Sequence, residues 1–280
     1  VKIGVAFGGG GARGLGHLPV IGAFEDLGLK PNVIAGSSIG SIVGAGVASG
    51  MTETDWKEYF LSTFSNSNDI LKRLWSLMPT SWRALCECSF HLFQFNLELI
   101  LENFLPLNFP RDFCALEISF CAVASNLKTA EMVVIQEGDL RSALAASSAL
   151  PGLFRPVLRN HDFLIDGAIC NPVPFDCFTE SVDLSIGVDV TGLPIIECKN
   201  GHFSVSESLV ATGIIGQQAL VTARLQCAKL DLLLCPPVNG IQILNFFEVK
   251  EILKRVEPFR EKAKRQISEL VERKMIHSGL

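Results

Sequence analysis

Charge is scarce in this chain. Asp, Glu, Lys and Arg make up only 19% of its 280 residues, against 48% apolar, which excludes a disordered chain and points to strands buried on both faces. The charge present sums to −5. A phosphate backbone is bound by clustered Lys and Arg, so no nucleic acid partner is expected, and an anionic membrane exerts no electrostatic pull. A second cysteine pair at zinc-finger spacing is missing too. Cys86 and Cys88 form a lone C-x-C, and the nine cysteines, an odd number, lie mostly in apolar runs. No metal site is therefore expected, and a reduced compartment fits best. No basic leader or cleavage site accompanies Val1, so no signal peptide is read here, although a start without Met is also what a trimmed leader would leave. Internal repeats and low-complexity tracts are absent, and one tyrosine stands against 19 phenylalanines.

The length suits a single α/β domain over 1–280. Lys2 to Phe7 is a short apolar run ending in four glycines and predicts a buried first strand. Apolar residues at helical spacing follow from Gly14 to Leu27, with Gly28 as a stop. Val33 to Ala35 predicts a second strand and Ser38 to Ala48 a second helix. Strand, Gly-rich turn, helix, repeated, is the pattern of an α/β fold with a largely parallel sheet. From about 54 to 111 strand signals vanish, and a helical insertion is expected, with Phe93, Leu97, Ile100, Leu101 and Phe104 on one helical face. That face could wall an acyl-chain groove within 84–107 or pack as ordinary core. Strands are expected again at 116–124, 131–135, 163–165, 183–190 and 229–235, then a charged helical tail at about 248–275. Pro31 to Thr52 carries no charge and is long enough to span a bilayer, but it is rich in Gly, Ala and Ser rather than Leu.

Two glycine-rich turns carry candidate chemistry. The first, Gly8 to Gly14, fits a dinucleotide fingerprint at 9, 11 and 14, yet the second strand ends in Ala35-Gly36-Ser37 and offers no carboxylate for a ribose. What remains is a turn of backbone N–H groups at a helix N-terminus, suited to an oxyanion as well as to a phosphate. The second, Gly36-Ser37-Ser38-Ile39-Gly40, is a G-x-S-x-G between strand and helix, the context of a nucleophile elbow with Ser38 at its centre. None of the five histidines, at 17, 91, 161, 202 and 277, occupies the late strand-end loop where a triad base is expected. Asp166 does close an apolar strand, with Gly167 and Ala168 leaving room beside it, and burial there would raise its pKa.

Taken together these residues resemble the patatin-like phospholipases, in particular bacterial-type members with a single such domain. That family carries a G-G-G-x-R-G loop, a G-x-S-x-G elbow and a D-G-[AG] motif. They match Gly9 to Gly14, Gly36 to Gly40 and Asp166 to Ala168 in order. Ala124 to Ala130, Ala145 to Phe154 and Asn171 to Pro174 are similar as well, though Ser125-Asn126 stand where the family has Thr-Asp, away from any proposed catalytic atom. The resemblance covers about 2–240. It implies a three-layer α/β/α fold and lipid acyl-ester hydrolysis by a Ser38–Asp166 dyad. It also implies an oxyanion hole from Gly9, Gly10 and Gly11, support from Arg13, Gly14, Gly36, Gly40 and Gly167, and no metal or cofactor. Arg13 would add positive potential at the loop or hold it through an ion pair. The implied partner is a lipid or lysolipid, with transient contact at a membrane surface allowed, in a cytoplasmic setting. A catalytically silent lipid-binding or scaffold protein and a nucleotide-binding protein remain as alternatives.

Overall fold

A computed structural model describes residues 1–64, 94–195 and 204–278. Cys86, Cys88, His91, Phe93, Cys198 and His202 lie outside the described residues. The frame is an eight-stranded sheet in the order β5-β6-β3-β2-β1-β7-β8, with β4 on the other edge of β3. The strands are β1 (Ile3–Phe7), β2 (Val33–Ser37), β3 (Ser119–Asn126), β4 (Met132–Ile135), β5 (Val157–Arg159), β6 (Asp162–Asp166), β7 (Leu184–Val188) and β8 (Leu232–Leu234). β1 pairs in parallel with both β2 and β7, β2 with β3, and β7 with β8, while β4, β5 and β6 run antiparallel to their neighbours. Every residue of β1, β2 and β7 is buried, as expected of parallel strands covered on both faces.

The helices are α1 (Leu18–Asp26), α2 (Ile39–Ala48), α3 (Glu53–Phe64), α4 (Leu97–Phe104), α5 (Leu140–Ser148), α6 (Val205–Cys227), α7 (Val249–Val256) and α8 (Phe259–Ser278). The fold is thus a largely parallel central sheet with flanking helices, as expected. Local chemistry starts several of them: the side chains of Asn96, Asp139 and Ser204 accept the N–H of Leu99, Ser142 and Glu207, satisfying donors that a helix start leaves unpaired. Arg260 of α8 reaches Asp26 at 2.7 Å and Glu53 at 2.7 Å, tying the tail to α1 and α3.

The uncharged stretch 31–52 folds as β2, the elbow and α2, and no helix among the described residues is long and apolar enough to cross a membrane. The expected first helix begins as a 3₁₀ segment, Gly11–His17, and turns α-helical only at Leu18. Neither β5 nor α6 is foreseen by the sequence reading. β5 is only three residues long, and α6 is apolar around much of its circumference, so no one-sided stripe marks it. The six described cysteines are free thiols.

In the insertion, Leu97 and Leu101 of α4 are buried members of the main core cluster, Ile100 packs against it, and Phe104 is half-buried. Ordinary packing is thus what these two leucines do. Leu101→Ser is expected to cost about 2–5 kcal/mol, as for large-to-small core changes, and to lower the melting temperature accordingly. An unchanged melting temperature would show that the side chain contributes nothing to the core and leave it to a groove instead.

Candidate active site

β2 delivers the chain to Ser38, which adopts φ 55 and ψ −131 before α2 begins at Ile39. A non-glycine residue in that region costs on the order of 1–3 kcal/mol unless its surroundings impose it. Here they do. The Ser38 N–H donates to Ser147 Oγ at 3.0 Å, and the Ser38 carbonyl accepts from Ser41 N at 2.8 Å and Ser41 Oγ at 2.7 Å. The elbow also lies hard against β1: a Cβ on Gly40 would fall 2.1 Å from the Phe7 carbonyl oxygen, so only glycine fits. Gly36 abuts the Ser41 backbone, Gly14 abuts Ile39, and Gly167 abuts the Val123 carbonyl.

Ser38 Oγ donates to Asp166 Oδ2 at 2.6 Å, and Asp166 Oδ1 accepts the Ala168 N–H at 2.8 Å. The sheet register explains the meeting. β2 follows β3 as far as Ser37 opposite Val123, and β6 pairs with β3 from Asp166 opposite Ala124. Because β4 already occupies the other edge of β3 at residues 122–125, β6 takes the edge that β2 vacates, and the two strand ends abut. Asp166 is buried, and burial raises its carboxyl pKa to about 6 against the opposing pull of the Ser38 and Ala168 hydrogen bonds.

The Gly-rich loop closes the other side. A Cβ on Gly9 would fall 3.1 Å from Ser38 Cβ and 2.6 Å from Ala168 Cβ, so the loop backbone lies directly beside the Ser–Asp pair. Its donors are not equivalent. Gly8 N–H donates to Val188 O at 3.0 Å and Gly9 N–H to Pro172 O at 2.9 Å, whereas Gly10 and Gly11 N–H have no hydrogen-bond partner among the described residues. Of the three expected donors, Gly9 is therefore already used.

Arg13 forms no ion pair among the described residues. Its buried guanidinium donates to the Ile241 carbonyl at 2.7 Å, to the Leu193 carbonyl at 3.0 Å and to that of Thr191, clamping 191–193 and 241 beneath the loop. The ion-pair expectation gives way to a carbonyl cage, which uses the forked donor geometry of Arg. His17 is buried with Nε2 2.9 Å from the Gly8 carbonyl and its ring edge-on to Phe7. Burial lowers its pKa to about 4, and its ring nitrogen is engaged by the carbonyl of the Gly-rich loop. His161 lies in the turn between β5 and β6.

Three contributions were not legible beforehand. Ser147 Oγ accepts the Ser38 N–H; Ser125 Oγ donates to the Asp166 carbonyl at 2.9 Å; the Ala149 carbonyl accepts the Asp166 N–H at 3.1 Å. The Ser125 side chain therefore does reach Asp166, at its backbone carbonyl. In sequence the run 145–154 shows only a similarity to the family, and the serines within its Ala-rich stretch are the available signal. Two clefts among the described residues, of about 370 and 320 Å³, are lined by residues such as Asp112 and Gln136, and Asn96 and Arg141. Neither reaches Ser38.

Comparison with known proteins places the chain in a family. The patatin-like phospholipase family model matches residues 5–178. An uncharacterized NTE family protein of Mycobacterium tuberculosis is 31% identical over 192 residues, 68% of this chain and 49% of that protein. A lysophospholipase NTE1 of Kluyveromyces lactis is 27% identical over 72% of this chain and 14% of its own length, so the chain spans about half or less of these relatives. Among solved structures, VipD from Legionella pneumophila superposes with a TM-score of 0.48 and 12% identity, over 95% of this chain and 67% of that one. On the family match, the chain belongs to the patatin-like phospholipases.

Proposed function

We propose that this protein hydrolyses lipid or lysolipid acyl esters through a covalent acyl-serine intermediate. The observation that carries the reading is the 2.6 Å hydrogen bond from Ser38 Oγ to the buried Asp166 carboxylate at a strained elbow. Asp166 accepts the Ser38 proton as Oγ attacks the ester carbonyl carbon. Charge develops on the carbonyl oxygen, for which the unbonded Gly10 and Gly11 N–H groups are the donors in this reading, and oxyanion donors contribute about 10²–10³-fold each in other enzymes. The alcohol leaves with the proton from Asp166. Water then attacks the acyl-serine, gives its proton to Asp166, and Ser38 departs reprotonated with release of the fatty acid. The start of α2 adds its partial positive charge at the developing alkoxide. Substrates of this class are held in aggregates, so transient contact with a lipid surface belongs to the same proposal.

The test is the pH dependence of covalent labelling of Ser38 by a fluorophosphonate, followed by mass spectrometry. Only the carboxylate form of Asp166 can accept the proton, and its pKa is raised to about 6. The labelling rate and kcat/KM for a short-chain ester should fall together below about pH 6, roughly tenfold per pH unit. Labelling elsewhere than Ser38, or a profile flat from pH 5 to 8, overturns the assignment.

A further inference from the structure

The C-terminal end of α5 touches both members of the dyad, and from a different layer than the sheet that brings them together. Ser147 is buried. Its Oγ accepts the Ser38 N–H at 3.0 Å and donates to the Val123 carbonyl at 2.6 Å. Two residues later the Ala149 carbonyl accepts the Asp166 N–H at 3.1 Å. Val123 pairs in β3 with Ser37, the residue before the nucleophile. A single hydroxyl thus joins the elbow's amide to the strand beside it, and the same helix end holds the backbone of the base.

We infer that Ser147 is a positioning residue for the acyl transfer: it locks the Ser38 backbone at positive φ so that Oγ faces Asp166 Oδ2. The inference rests on the dyad assigned above. Physically, Ser38 in the left-handed region is strained, and its amide is a buried donor that needs an acceptor. Without Ser147 Oγ the Ser38 N–H would lose its acceptor, and the elbow would relax toward conformations in which Oγ no longer meets the carboxylate. Ser147 touches no reacting atom, so its loss should weaken the attack step and leave substrate binding alone.

The experiment compares Ser147→Ala and Ser147→Thr with wild type, using a soluble short-chain ester and fluorophosphonate labelling of Ser38. For Ser147→Ala, kcat and the labelling rate are expected to fall about 10- to 100-fold together while KM stays within about twofold. Ser147→Thr, which keeps the hydroxyl, should recover most of the loss. If Ser147→Ala does not fold, Ser147→Cys, with its weak acceptor, takes its place with the same expectation. Wild-type kcat and labelling in a folded Ala or Cys variant would overturn the proposal. So would a Thr variant as impaired as Ala, since that would mark a packing role. If the wild-type protein does not label at Ser38 at all, the dyad assignment itself fails, an outcome distinct from either of these.

Discussion

Ser38→Ala should abolish ester hydrolysis, by about 10⁴-fold or more on the scale of nucleophile removal in other serine hydrolases, while the fold persists. The change removes one hydroxyl and adds no volume. The elbow's geometry is held by groups it leaves in place, namely the Ser38 N–H to Ser147 and the Ser38 carbonyl to Ser41. Asp166 would lose the hydrogen bond that opposes the effect of burial, so its pKa would rise further. The check is a turnover assay on lipid and short-chain esters beside a thermal melt. Activity near wild type in a folded variant would place the nucleophile elsewhere.

Asp166→Asn should separate catalysis from stability. The amide keeps the shape and an oxygen for the Ala168 N–H, but it cannot accept the Ser38 proton, and activity is expected to fall about 10³-fold or more. Stability should move the other way. The carboxyl titrates at about 6 in the folded protein against a reference of 3.8. The folded state therefore keeps a proton that the unfolded chain has already lost, and this favourable term is complete below pH 3.8 and gone once the pH has risen through 6. Above that, holding the buried charge costs at most about 3 kcal/mol. Asp166→Asn should consequently melt higher than wild type at pH 8, with the gap closing as the pH falls toward 4. Melting curves across pH check this; an Asn variant less stable than wild type at pH 8 would show that the carboxylate is satisfied in the fold and not strained by burial.

Much of this protein was legible in its sequence because the governing rules are local. An apolar β-branched run followed by glycines makes a buried strand and a tight turn, and helical spacing then sets the return; two such units in succession imply a parallel sheet. Gly36 to Gly40 pointed to an elbow in the same way, since small residues around a serine at a strand-to-helix junction allow a tight turn and close chain approach, and the apolar run before Asp166 pointed to a carboxylate at a strand end. The helix over 205–227 carries no periodic signature because it has no polar face opposite an apolar one.

What the tertiary structure alone decided concerns residues far apart in the chain. Ser38 and Asp166 are 128 positions apart and meet because β2 and β6 use successive stretches of the same edge of β3. That register depends on long-range strand pairing, which leaves no periodic trace in either segment. The raised pKa of Asp166 likewise depends on what surrounds it. Gly9, Gly10 and Gly11 are identical as sequence, yet the Pro172 carbonyl takes the Gly9 amide and leaves the other two. Arg13, read as a charge, turned out to be a forked donor to three carbonyls. Local pattern specifies which backbone conformations are available; hydrogen-bond satisfaction of buried groups, settled only when distant segments pack, specifies which atoms remain free for chemistry.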